Sequence, residues 1–322
     1  MRPSHPSSPS YRSSRASRPV PLRRTLLSAA LTAVALLGAA TVPAAAASEN
    51  QGQGRGQGGA HRTAYYLALG DSLAAGYQST PGGGHVVGRG YAQDLAGTLG
   101  ARAEAEGRPF EFTDLGCPGE TTGSMADGGC PYPHSFSGSQ LAAAVAWLKA
   151  HRNDETLVTI DIGANDVQRC AAGGSLDLPC ALKGIDQVRT GLDRILGELR
   201  AAAGPRTRIV GMNLYDPFLA VWTTGEQGRA TATASVPLAG ALNAVIGAVD
   251  ARHRVPTADV AGAFSTYSFL PSVPLDGQQV PLNVARILQW TNMARGDIHA
   301  NDAGYRVIAD AFLAELPRQY PR

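Results

Sequence analysis

Ala64-Tyr65-Tyr66-Leu67-Ala68-Leu69-Gly70-Asp71-Ser72-Leu73 is the stretch on which the reading of this chain turns. Six consecutive apolar and aromatic residues predict a buried strand. Gly70 ends it, because glycine permits a tight turn. Ser72 then stands just past the C-terminal end of a strand, the edge at which open parallel α/β sheets bind their ligands. A nucleophile would be placed there, although Gly-Asp-Ser also suits an ordinary turn with a helix N-cap.

Working outward, strand-like runs alternate with helical patterns. Helices are expected over 91–106, 139–150, 181–203, 239–251 and 302–316, and strands over 110–115, 156–162 and 208–212. A fifth strand at 255–260 is expected at a sheet edge because of Pro256. This alternation predicts a parallel sheet with helices on both faces. Right-handed crossovers make it a doubly wound, flavodoxin-like α/β fold, a five-stranded parallel sheet within three α/β/α layers. The loops after the first three strands then meet at one edge, and they carry Ser72, Gly119 and Asn165. Two stretches, 216–237 and 264–281, break the alternation and are expected to be irregular. Their aromatics, Phe218, Trp222, Phe264, Tyr267 and Phe269, either wall a cleft or plug the core.

Three further blocks follow Gly70-Asp71-Ser72-Leu73 in order. They are Gly116-Cys117-Pro118-Gly119-Glu120-Thr121, Gly163-Ala164-Asn165-Asp166 and Asp297-Ile298-His299-Ala300-Asn301. With these four blocks the chain resembles the GDSL, or SGNH, hydrolase family over roughly Tyr65 to Leu316. The resemblance implies a serine esterase or lipase that needs no cofactor or metal. It assigns Ser72 as nucleophile, His299 as base, and the N–H groups of Ser72 and Gly119 with the Asn165 amide as oxyanion donors.

The residue types suit those roles. A serine hydroxyl needs an adjacent base to attack a carbonyl, and imidazole is the side chain suited to that work. Of seven histidines, only His299 lies in a motif, just before the closing helix. Glycine lets backbone approach the substrate closely, and an amide donates without titrating. Asp297 is the candidate third member. The commonest family spacing, Asp-x-x-His, would need an acid at Gly296, so either Asp297 or a backbone carbonyl orients the ring. Asp71 and Asp166 read as structural loop acids. No G-x-S-x-G elbow of the α/β-hydrolase type is present.

Four cysteines, Cys117, Cys130, Cys170 and Cys180, allow three pairings. The neighbour pairs Cys117–Cys130 and Cys170–Cys180 are favoured, since each closes a short local loop beside an oxyanion donor. No C-x-x-C occurs, which disfavours zinc.

Residues 1–47 are expected to be a signal peptide. Six arginines and no acid are followed by an apolar run from Leu26 to Val42 and small residues at Ala45 and Ala47. Arg23-Arg24 fits a twin-arginine signal as well as a general secretory one. Residues 48–62 read as a flexible Gly/Gln-rich linker, and 63–322 as one catalytic domain. Removing six arginines from a chain of formal charge +2 leaves −4. A mildly acidic domain gives no reason to expect nucleic acid or an anionic membrane as partner. The expected protein is a secreted monomer without an integral membrane segment, acting on small-molecule or lipid esters. Fatty-acyl esters are favoured over phospholipids and acetylated sugars, with a non-catalytic exported binding protein as the remaining alternative.

Overall fold

The structure, a computed structural model, describes residues 62–321 apart from 81, 83 and 171–176. The expected signal peptide and nearly all of the linker lie outside the described residues. From Ala64 the chain runs β1 (Ala64–Gly70), a short ribbon of β2 (Gln78–Ser79) and β3 (His85–Val86), α1 (Tyr91–Ala105), β4 (Phe110–Asp114), α2 (Thr122–Asp127) and α3 (Gln140–Ala150). It continues through β5 (Glu155–Asp161), α4 (Ala164–Gln168), α5 (Leu178–Ala202), β6 (Thr207–Met212), a 3-10 segment (Pro217–Thr224) and α6 (Glu226–Arg252). β7 (Thr257–Ala258), α7 (Val260–Ala263), a hairpin of β8 (Ser272–Leu275) and β9 (Gln278–Pro281), α8 (Leu282–Trp290) and α9 (Asp302–Ala314) complete it.

The central sheet has the order β4-β1-β5-β6-β7 and every pairing in it is parallel. It is the doubly wound sheet of an α/β fold, with β7 at an edge. Leu67, Leu69, Val158, Ile160, Ile209 and Val210 are buried because helices cover both faces. α1 packs with α9, while α3 packs on α5 and α5 on α6. Truncating Leu67 or Leu196 to alanine in such a core typically costs about 2–5 kcal/mol.

Local chemistry explains the helix starts. Ser139, Asp177 and Asn301 accept backbone N–H groups in the first turns of α3, α5 and α9. The two stretches expected to be irregular are more ordered than that. The 3-10 segment and the first half of α6 replace the expected loop at 216–237, with Pro237 inside the helix. Buried Ala232 and Ser235 anchor this half, and the Ser235 hydroxyl donates to Asp216 at 2.6 Å. Packing therefore overrides the helix-breaking tendency of Pro237. In 264–281, Asp276 and Gly277, both at positive φ, close the β8–β9 hairpin. By length and apolar composition α6 would also suffice to cross a bilayer. In this fold its Leu242, Ile246 and Val249 are buried in protein.

Candidate active site

β1 and β5 are neighbours in register, with Gly70 beside Asp161. The sheet order reverses between them, so the turns that follow create a crevice at the switch point. Gly70 is held in an unusual way. β4 ends at Asp114, the Cys117 N–H beyond it donates to the Gly70 carbonyl at 3.1 Å, and the Gln140 side chain adds two more bonds. The Gly70 N–H donates to Gln140 Oε1 at 2.7 Å, and Gln140 Nε2 donates to the Gly70 carbonyl at 2.9 Å. The serine turn thus leaves a backbone whose polar groups are satisfied.

Ser72 follows, largely buried. Its Oγ lies 2.8 Å from His299 Nε2, although 227 positions separate the two residues. His299 Nδ1 lies 2.5 Å from Asp297 Oδ1. Asp297 Oδ1 also accepts the His299 backbone N–H, and Oδ2 accepts the Ser79 N–H at 3.0 Å. Burial works against ionisation of Asp297, but these hydrogen bonds and the imidazole hold its carboxyl well below the usual range. An ionised Asp297 can only accept, so the ring proton sits on Nδ1 and Nε2 is left to accept from Ser72. Of the two options left open by the two-residue spacing, the structure places the carboxylate rather than a carbonyl on Nδ1.

The histidine loop is tied down on several sides. The Asn292 N–H donates to the His299 carbonyl at 2.8 Å, and Tyr215 Oη donates to the Ile298 carbonyl at 2.8 Å. The Tyr77 ring packs on the His299 ring with centroids 4.6 Å apart.

Gly119 has φ +82°, a left-handed conformation that favours glycine, and an added Cβ would meet Pro131. Among the described residues, neither the Ser72 N–H nor the Gly119 N–H donates to a protein acceptor. Asn165 enters the same site from the start of α4. Its Nδ2 donates to the Glu120 carbonyl at 2.9 Å and to Asp71 Oδ2 at 3.3 Å. Asp166 points elsewhere and binds the Thr122 N–H and hydroxyl at 3.0 and 2.7 Å, tying α2 to α4.

Cys117 is bonded to Cys130 and Cys170 to Cys180. Cys117, Glu120 and Cys130 form a cluster of metal-ligand types, but both sulfurs are committed to the disulfide.

Ser72, Asn165 and His299 open onto a cavity of about 920 Å³. Apart from these residues its walls are mainly apolar, with Tyr215, Phe218, Val221, Leu238, Leu242 and Met293 prominent. Of the aromatics considered as cleft walls, Phe218 lines it, whereas Phe264 is wholly buried and stacks on Tyr215. Sequence reasoning missed the Tyr215 and α6 walls, because helical continuity past Pro237 is not written in the local pattern. It also missed Gln140 and Asp161, which read as a helix start and a strand end.

The sequence matches the profile of the GDSL-like lipase/acylhydrolase family over residues 68–307. No curated protein matches it. Similar solved structures include an alpha/beta hydrolase enzyme from the metagenome of Lake Arreo, Spain, at 21% identity and TM-score 0.45, covering 78% of this chain and 94% of that one. A mutant acetyl-xylooligosaccharide esterase from Geobacillus aligns at 18% identity and TM-score 0.49, over 82% and 98% of the two chains. An extracellular lipase from Streptomyces rimosus aligns at 20% identity and TM-score 0.47, over 79% and 100%.

Proposed function

Since this chain belongs to the GDSL-like lipase/acylhydrolase family and is a carboxylic ester hydrolase, we propose that it works through an acyl-enzyme on Ser72 and prefers fatty-acyl esters. The observation that carries the reading is the hydrogen-bonded series Ser72, His299, Asp297 at the mouth of a large apolar cavity.

In the proposed sequence, His299 Nε2 takes the Ser72 proton as Oγ attacks the ester carbonyl carbon. The oxyanion accepts from the Ser72 and Gly119 N–H groups and from Asn165 Nδ2, donors of the kind worth ~10²–10³ in rate each. Asp297 stabilises the imidazolium. Collapse of the intermediate breaks the bond to the alcohol, which leaves with the proton from Nε2. Water, deprotonated by the same nitrogen, then attacks the acyl carbon and releases the acid and free Ser72.

The cavity supports an acyl chain of some length. It is far larger than an acetyl group requires, and apolar walls favour apolar ligands by removing them from water. The protein is proposed to act outside the cell as a single domain over residues 63–322. Two disulfides are compatible with an oxidising compartment, and residues 1–47 have the composition of an export signal.

Fluorophosphonate labelling followed by peptide mapping tests the nucleophile. Modification at Ser72, lost in Ser72→Ala, is expected; modification elsewhere, or none, overturns it. A panel of p-nitrophenyl esters of increasing chain length tests the substrate class. Higher kcat/KM for medium or long chains than for acetate is expected, and a maximum at acetate would move the reading to an acetylesterase.

A further inference from the structure

Behind Ser72 lie two acids that the proposed reaction does not use. Asp71 and Asp161 are both buried, at 1% and 0% exposure. Asp161, the last residue of β5, lies against Gly70, where a Cβ would run into its carboxyl group and backbone. The Asp71 N–H donates to the Asp161 carbonyl at 3.2 Å and to its Oδ2 at 3.3 Å. Tyr91 Oη donates to Asp161 Oδ1 at 2.5 Å. The Asp161 carboxylate thus sits against the backbone that carries the Asp71 side chain.

Asp71 faces the reaction. Its Oδ1 accepts the Leu73 N–H at 3.0 Å and lies 3.4 Å from Ser72 Oγ, and its Oδ2 accepts from Asn165 Nδ2. Among the described residues no lysine or arginine pairs with either acid. The titratable groups around them are Tyr66 on β1, Tyr91 on α1, Glu120 after β4, Tyr215 after β6, Asp297 and His299 before α9, and Tyr305 on α9. Only His299 in that set can become a cation.

We propose that Asp71 and Asp161 form one acid pair carrying a single proton in the working enzyme. Asp161 holds the proton and is a positioning residue that acts through Asp71 on Ser72 and Asn165. The proposal rests on those two residues having the roles assigned above.

The physical reason is charge. Two carboxylates on adjoining backbone, both buried and without a cationic partner, resist ionising together near neutrality. Burial pushes both acids up, and the neighbouring charge of Asp71 pushes Asp161 further. The proton belongs on Asp161, because Asp71 accepts from three donors, Leu73, Asn165 and Ser72, against two at the Asp161 carboxyl, the Asp71 N–H and Tyr91. A neutral Asp161 leaves Asp71 as the single charge behind the serine. When the oxyanion forms, Asn165 must turn part of its donation from Asp71 to the substrate. Loss of the shared proton would place a second negative charge beside the oxyanion and hold Asn165 on Asp71. Turnover would fall at alkaline pH while ground-state binding changed little.

Three measurements test this. Infrared spectra at pH 8.5 should show a protonated carboxyl band in the wild type that is missing in Asp161→Asn. Asp114, Asp216 and Asp250, at about 6, 6 and 7, are ionised at that pH and do not interfere. Asp161→Ala should lower kcat about 10–100-fold with KM within about twofold. Asp161→Asn, which stays neutral and still accepts from Tyr91, should recover most of that loss and abolish the alkaline fall in kcat. Tyr91→Phe keeps both acids and removes a donor that favours ionised Asp161, so the alkaline fall should move to higher pH. If Asp161→Asn fails to fold, the Tyr91→Phe profile decides. An absent band, or an alkaline limb unmoved in the folded variants, overturns the pair. The band does not depend on turnover, so inactivity of the wild type toward esters would count against the proposed reaction alone.

Discussion

Asp297 Oδ1 receives two hydrogen bonds from one residue, the Nδ1–H of the His299 ring at 2.5 Å and the His299 backbone N–H at 3.1 Å. The second bond folds the acid back along its own chain. Gly296, in the left-handed region at φ +75°, ends a 3-10 turn immediately before Asp297. Asp297→Asn and Asp297→Ala should therefore each lower kcat by ~10³–10⁴ with little change in KM. Steady-state kinetics on a soluble ester checks this; a loss under about tenfold would mean that another group orients the ring.

Asn165→Ala should reduce kcat by ~10²–10³, the usual worth of an oxyanion donor. Asp166→Ala serves as its contrast. It breaks two buried bonds to Thr122 and should lower stability by about 1–3 kcal/mol while leaving kcat within a few-fold. Parallel kinetics and urea melts separate the two effects, and equal losses of kcat would erase the distinction.

Asp250 makes stability depend on pH. Burial raises its carboxyl from 3.8 to about 7, against one hydrogen bond from Thr257. The folded protein therefore keeps a proton that the unfolded chain releases between those values. The stability it contributes is complete below about pH 4 and is lost as the pH rises to about 7. Asp250→Asn, whose amide oxygen can still accept from Thr257, should be more stable than the wild type by ~2–4 kcal/mol at pH 8 and no more stable at pH 4. Chemical denaturation at the two pH values is the measurement.

Filling the cavity should change chain-length preference. Ala234 is an exposed α6 residue at its wall, so Ala234→Phe adds bulk without entering the core. It should lower kcat/KM for long-chain esters by about tenfold relative to acetate. An equal effect on both would remove the chain from this cavity.

Replacing Cys117 and Cys130 by serine opens a bridge spanning 13 positions, worth roughly 3 kcal/mol in the chain-entropy model. Because Gly119 lies two residues from the bridge, kcat should fall at temperatures where circular dichroism still reports a folded protein. Unchanged kcat would make the bridge purely structural.

The parts of this molecule legible in its sequence are those whose physics is local. β1, β4, β5 and β6 begin and end within one residue of expectation, because strands buried on both faces read as apolar runs. The blocks around Ser72, Gly119, Asn165 and His299 are legible through their joint resemblance to the GDSL family, since turn and cap chemistry alone suits each of them to an ordinary loop. What depends on distant packing was hidden. The first half of α6 is held by Ser235 on Asp216, against the signal of Pro237. The β8–β9 hairpin did carry a readable mark, Asp276-Gly277 between strand-like residues. Asp161 looked like the polar end of a strand, and only its place beside Gly70 reveals its setting.

Gln140 carries a last consequence. By lending its amide to Gly70, beside the β5 pairing and the Cys117 N–H, it splints the nucleophile's turn to α3 as well as to the sheet. Any sideways slip of that helix would pull directly on the serine's turn. Engineering of catalytic geometry in this scaffold can thus be steered from outside the crevice, through the seam between α3 and α5.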